Sequence, residues 1–389
     1  MRNLIVIAAA VLATALCLSC GGQNKSGEKK PEVDSEVMKP EYAKGFTIQT
    51  LDNGVRLVEV GDPQNVLREG DEDEDYDMPV SYRFALVDKG STEKTPEGYE
   101  RVEVPITSTI TMTSLQLSNF TALNAHDIIK GITGTKNLFD QDIKERVEKG
   151  EIVKIGMEGD FDTELVLAAN PDLIFISPFK RGGYDAIKET GITLVPHLGY
   201  KELTPLGQAE WIKFVALFIS KEKEAETVFN GIKERYNSLK SKTETVEHRP
   251  TVFSGEMHGG NWYAVGGRNH LAQLFIDAGA EYVIKNDNSG GVNMEFEEIY
   301  EKASDADYWR ILNSYEGEFS YDALKDSEPR NELFKAFKDH KVIYCNMKQT
   351  PYYEIAPVQP DVLLADLTAI FHPELVDTTY TPTFYRLLK

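Results

Sequence analysis

The chain has 389 residues, with Asp+Glu 63 against Lys+Arg 42 and a formal net charge of −21. That balance argues against a nucleic-acid partner, because phosphate binding needs clustered positive charge. The roughly 345 residues beyond the N-terminal tract suffice for two domains of ordinary size, each with its own core.

The chain opens Met-Arg-Asn, runs apolar from Leu4 to Leu18 and reaches Ser19-Cys20-Gly21-Gly22. A positive start, an apolar run of about 15 residues and small residues after it describe a secretory signal, and the run is short for a spanning helix. The Leu18-Ser19-Cys20 ending resembles a bacterial lipoprotein signal, which implies a lipid on Cys20; a plain cleaved signal or an uncleaved anchor is the alternative. With Cys17 in the signal and Cys20 lipidated, Cys345 is left alone, so no internal disulfide is expected. Gly21 to Pro40 is polar and poor in apolar residues, as a flexible tether would be.

Phe46 to Val87 reads as β-rich, with alternating strands on either side of the Asp52-Asn53-Gly54 turn. The acidic run Glu69 to Asp77 lacks the alternation and closing Glu of a calcium loop and reads as a solvated loop. An α/β pattern follows. It starts with strand Arg101–Ile106, a polar Thr/Ser turn and a helix over Leu115–Ala125, and runs to strands Leu173–Ile176 and Thr193–Pro196. From Pro205 to Thr243 lies the longest helical pattern. In its second half Ala225, Val228, Phe229, Ile232, Tyr236 and Leu239 make one stripe, and about 22 residues at ~1.5 Å give a rod of roughly 33 Å. A rod between two α/β segments points to a spacer holding a cleft open.

A second α/β run spans strand Pro250–Phe253, helix Leu271–Ala278, helix Glu295–Lys302, strand Asp307–Leu312, strand Val342–Tyr344 and a last helix near Asp361–Phe371. The fold class is α/β, two lobes with mostly parallel sheets joined by a single long helix. The expected segments are signal 1–19, lipidated Cys20 and tether 20–45, β-rich lead-in 46–104 packing on the first lobe, first lobe 105–219, interlobe helix 220–243, second lobe 250–376 and tail 377–389.

No Gly-x-Ser-x-Gly, HExxH, Walker or CxxC motif occurs, and the histidines form no pair at metal-ligand spacing. Neither catalytic residues nor a resident metal or cofactor is expected. The glycine-rich stretch Gly255–Gly267 reads as a loop in which Trp262 and Tyr263 suit a flat organic ligand.

Four stretches carry a family resemblance: Asp160–Ser177 with its Pro-Asp-Leu-Ile core, Pro205–Phe214, Gly279–Val283 followed by Asn286–Gly291, and Pro360–Leu375. In this order they resemble the periplasmic ligand-binding components of ABC importers for ferric siderophores, haem and cobalamin, in the lipoprotein form found in Bacteroidota. The resemblance implies two α/β lobes, a shallow cleft, small hinge motion, an ABC permease as partner and a lipid-anchored monomer in the envelope, with the periplasm of a Gram-negative bacterium expected. It also implies one exposed docking Glu per lobe, and the expected first-lobe stretch, Lys180 to Asp185, departs from the pattern in having no Glu. Asp185 stands near the first-lobe position, and Glu316, Glu318 or Glu332 are available on the second.

Open α/β sheets place ligands at the carboxyl ends of their strands. That rule selects Thr109, Met112, Phe179, Lys180, Arg181, His197 and Tyr200 on the first lobe. On the second it selects His258, Trp262, Tyr263, Asn288, Asn346, Tyr352 and Tyr353. Aromatic rings offer stacking faces, and Lys180 and Arg181 offer charge to an anionic ligand. The expected ligand is an iron chelate. Haem would call for an axial Tyr263, His258 or His197, and cobalamin for aromatic walls with few cations. A surface adhesin or an enzyme scaffold on the same fold is the rival class.

Overall fold

Apolar runs pair into two parallel-rich five-stranded sheets in a computed structural model that describes residues 37–65, 80–134, 138–157, 160–178 and 184–389. The segment read as a signal, Cys20, the acidic run and Phe179-Lys180-Arg181 lie outside the described residues. The α/β class expected from the sequence is the one observed.

The first-lobe sheet runs Leu194–Pro196, Leu173–Ile176, Thr109–Thr111, Ile129–Ile132 and Val153–Lys154, all parallel. Its central strand is the segment read from sequence as a polar turn. Thr109-Ile110-Thr111 is wholly buried, and β-branched threonines suit a pleated surface despite their hydroxyls. The second-lobe sheet runs Glu281–Tyr282, Thr251–Ser254, Tyr308–Asn313, Val342–Asn346 and Arg386–Leu387, parallel except for the last strand. That last strand corrects the expected C-terminal tail. The buried Asp366 carboxylate accepts the backbone N–H groups of Thr383 (3.0 Å), Phe384 (2.6 Å) and Tyr385 (2.9 Å), and the side chains of Phe384 and Tyr385 lie in the core.

The glycine-rich stretch is also not a loop. Glu256–His258, Asn261–Val265 and Gly291–Met294 form a three-stranded antiparallel sheet, with the positive-φ pair Gly259 and Gly260 making the turn.

Helix Pro205–Ile219 is apolar over most of its surface because it is covered on both sides. Phe46 of the lead-in sheet lies 5.1 Å from Trp211 and 5.3 Å from Phe214, and Phe175 of the first-lobe sheet lies 5.5 Å from Phe218. Ser220 in the left-handed region (φ 53°) ends this helix, and a second one spans Glu222–Thr243. The stripe on the second helix is divided between the two cores. Ala225 and Phe229 pack in the first-lobe cluster, and Ile232 and Tyr236 in the second. Tyr236 donates to Asp277 (2.7 Å), and Arg235 pairs with Asp361 (2.6 Å).

The tether expected to reach residue 45 is already in the structure at Val37, where Val37–Met38 pairs with the Phe46–Thr50 strand. Two buried carboxylates hold the backbone between these strands. Glu210 accepts the backbone N–H groups of Glu41, Tyr42 and Ala43 (3.1, 2.7 and 2.9 Å), and Glu202 those of Lys44 and Gly45 (both 3.0 Å).

Candidate functional site

The carboxyl ends of three first-lobe strands, Thr109–Thr111, Ile129–Ile132 and Val153–Lys154, border an open hollow of about 440 Å³. Its walls include Met112, Lys154, Met157, Phe161 and Tyr184. Local structure sets each wall. Thr113 caps helix Ser114–Ala122 in a capping box with Gln116, turning the chain sharply after Met112. Gly156, at φ 94°, allows a tight hairpin in which a side chain would meet the Asp160 carbonyl at 2.4 Å, and this hairpin presents Phe161. Tyr184 donates to the Ser177 carbonyl (2.7 Å), and its ring lies 5.7 Å from that of Phe161, so the two form one aromatic wall.

Facing elements of the second lobe carry the short helix Tyr352–Ile355, which packs on helix Ser114–Ala122 of the first lobe. Between the lobes lies a smaller cavity of about 120 Å³, lined by Leu115, Tyr200, Gln208, His270, Tyr352 and Tyr353 among others. Tyr353 is 53 % exposed, and yet desolvation raises its phenol pKa, as for a side chain facing a recess. Burial holds the His270 imidazole at about 4, so it is neutral, and its Nδ1 is buried without a partner. Glu354 bridges the lobes. Its carboxylate accepts the first-lobe backbone N–H groups of Phe139 (2.5 Å) and Asp140 (3.0 Å), and burial raises its pKa.

The structure gathers Tyr200, Tyr352 and Tyr353 around the interlobe cavity and Met112 in the first-lobe hollow. It sets exposed His258 and Tyr263 with ring centroids 6.0 Å apart on the antiparallel sheet. Four other candidates have structural partners instead. Thr109 is buried and donates to the Leu173 carbonyl (3.0 Å). His197 is buried 4.8 Å from Trp211, and desolvation depresses its pKa to about 3. Trp262 is 0 % exposed, donates to the Ser254 carbonyl (3.0 Å) and packs on Phe253, Trp309 and Phe334. Asn346 is buried and cross-links to the Tyr315 backbone (2.9 Å). In all four a buried polar group is satisfied by the lobe's own core, or is neutral there. Asn288 is exposed and shapes a turn by accepting the Gly290 N–H (2.8 Å).

The four carboxylates expected as docking candidates are all on the surface. Asp185 pairs with Lys188 (3.5 Å), Glu316 with Lys348 (2.5 Å) and Glu332 with Lys325 (2.6 Å), while Glu318 is exposed.

Sequence reasoning passed over Glu354 and Arg310. Arg310 had a visible signal, since it is a lone charge inside the apolar strand Tyr308-Trp-Arg-Ile-Leu312, where a cation is out of place unless it has a task.

Comparison with known proteins agrees with this architecture. An uncharacterized lipoprotein of Methanocaldococcus jannaschii is 28 % identical over 298 residues, covering 72 % of this chain and 69 % of the relative. A periplasmic haem-binding protein from Pseudomonas aeruginosa superposes with a TM-score of 0.57 at 17 % identity, covering 72 % of this chain and 96 % of that one. A protein of the Fe3+-hydroxamate transport system from Saccharomonospora viridis gives 0.53 at 17 % identity, with 69 % and 94 % covered. At these identities the two structures speak for the fold alone. The family described as periplasmic binding protein matches residues 110–349, from the central strand of the first lobe to the loop before Tyr352, and the chain belongs to that family of solute-binding proteins.

Proposed function

We propose that this chain is a lipid-anchored extracytoplasmic protein that captures an iron chelate between its lobes and hands it to an ABC permease. The observation that carries the reading is the hollow at the first-lobe strand ends, where the Phe161–Tyr184 wall and two thioethers face an opening large enough for part of a flat or globular chelate. The neighbouring transport-system protein for Fe3+-hydroxamate is consistent with it. The anchor is Cys20, and the cell envelope, facing the periplasm, is the location. Asp185 on the first lobe and Glu316, Glu318 or Glu332 on the second are the carboxylates offered to the permease. Phe179, Lys180 and Arg181 remain proposed ligand contacts.

Haem is the second reading, favoured by the exposed His258–Tyr263 pair, which could approach a metal from one side. Cobalamin fits the aromatic walls as a third ligand of the same class.

The test uses the domain starting near Ser35, because Val37 and Glu41 to Gly45 are structural. All 3 tryptophans are buried, so calorimetry is a better readout than indole quenching. Ferric trihydroxamates, ferric triscatecholates, haem and cyanocobalamin are titrated in turn. A one-to-one complex with an iron chelate below about micromolar supports the reading. Tight binding of haem or cyanocobalamin alone transfers it to that ligand, and no binding at all returns the chain to the adhesin class.

A further inference from the structure

Arg310 sits on the middle strand of the second-lobe sheet and is 6 % exposed. Among the described residues no carboxylate lies within ion-pair distance of it. Glu256 is within electrostatic reach but is bonded to Asn313 (3.1 Å), and burial raises its pKa. The contrast with Arg146 is clear, because that buried guanidinium is covered by backbone carbonyls and Glu151 (3.3 Å). A guanidinium stays charged in any protein environment. Its desolvation is costly unless an anion compensates, and the Tyr385 ring, 5.3 Å away, carries no charge. A chain with Asp+Glu 63 has left this position without one.

The hydrogen bonds around Arg310 have a direction. Nε and Nη2 donate to the Tyr385 hydroxyl (3.0 and 2.6 Å), which occupies its oxygen and turns its proton outward. Tyr385 donates in turn to the Tyr352 hydroxyl (2.9 Å), and the Tyr352 proton has no acceptor of its own among the described residues. Asp366 fixes the backbone of Tyr385, so the relay is rigid. Tyr352 and Tyr353 line the interlobe cavity, and both lie within electrostatic reach of Arg310. The cavity of about 120 Å³ has room for a few water-sized groups, enough for one carboxylate-sized arm but not for a whole chelate.

We propose that Arg310, acting through Tyr385 and Tyr352, makes the second-lobe side of the cleft an anion-selective subsite for an oxyanion arm of the ligand. This rests on the chelate reading above and narrows it to anionic chelates. Arg310 is a positioning residue here: it supplies the field and polarises the relay, and the Tyr352 hydroxyl makes the contact.

The test compares a ferric trihydroxamate carrying a free carboxylate arm (the anionic probe) with the same chelate carrying a free amine in its place, by calorimetry on the wild-type domain and on Arg310→Met, Arg310→Lys and Tyr385→Phe. The wild type should prefer the anionic probe by about tenfold or more, in line with close charge pairs at interfaces. Arg310→Met should erase that preference by weakening the anionic probe alone, and Arg310→Lys should keep part of it. Arg310→Met should melt no lower than the wild type, since replacing a buried unpaired charge with an apolar side chain is commonly neutral or stabilising. If Arg310→Met fails to fold, Tyr385→Phe carries the test, because it cuts the relay and keeps the charge. Equal weakening of both probes, or no charge preference in a wild type that binds both, overturns the role of Arg310 alone. A wild type that binds neither probe overturns the chelate reading and this inference with it.

Discussion

The first-lobe hollow is walled mainly by thioethers and ring faces, Met112, Met157, Phe161 and Tyr184, with the Lys154 side chain beside them, whereas the second lobe lines the interlobe cavity with Tyr352 and Tyr353 and has a guanidinium behind them. Both sides arise from the same architecture, loops at the carboxyl ends of parallel strands, so the fold does not impose the difference. It comes from what each sheet can spare for the cleft. The first lobe keeps Thr109 and Gln116 for itself, bonded to Leu173 and Ser177, and leaves Lys154 as the charged group on its hollow. The second lobe brings a charge up from its central strand. A ligand suited to both sides carries an apolar surface on one flank and oxygen acceptors on the other.

The largest effect should separate core from cleft. Trp262→Ala removes a fully buried indole and should destabilise the domain by about 3–5 kcal/mol in denaturant melts, with unchanged ligand affinity in the folded fraction. A loss of affinity at full stability would return Trp262 to the cleft.

Next comes acid. His270 has its pKa depressed by burial to about 4, so its contribution is fully present above the unfolded value near 6.5 and is lost as pH falls through 4. Melts across that window should fall by roughly 3 kcal/mol for this group, and His270→Gln should flatten the slope by a similar amount.

Glu354→Ala leaves two first-lobe amides without their acceptor and should cost about 1–3 kcal/mol. Faster hydrogen exchange at Phe139 and Asp140, with a larger radius of gyration in scattering, would show the lobes parting there. Unchanged exchange would mean that Glu354 does not tie them. Phe161→Ala and Tyr353→Ala should each weaken the ligand by about 1–2 kcal/mol with little change in melting, one testing each side of the cleft. Smallest in vitro is Asp185→Lys with Glu316→Lys. Calorimetry should register nothing, while transport in cells should drop.

The order of strands and helices was legible because apolar runs bounded by turn residues leave few alternatives, as at Leu173–Ile176 and Pro360–Phe371. Thr109–Thr111 was missed because composition outweighed β-branching, and Gly255–Gly267 because glycine was taken for a loop when it was making a hairpin. The cleft was half legible. Strand-end logic picked Met112, Tyr352 and Tyr353, which line the two hollows, but it cannot tell a ring turned inward, such as Trp262, from one turned outward, such as Tyr263. The two lie next to each other on one strand and point to opposite faces.

The way Glu41 to Gly45 is tied down has a mechanical consequence. Tyr42 lies 6.1 Å from Phe229 and its hydroxyl accepts from Asn237 (3.1 Å), while Glu41 pairs with Lys233 (2.7 Å), all on the helix that joins the lobes. A chain fastened at the joint between the lobes has almost no lever arm on either side. Were the proposed anchor at Cys20 to pull on it, the pull would move the whole molecule and exert little torque on one lobe against the other.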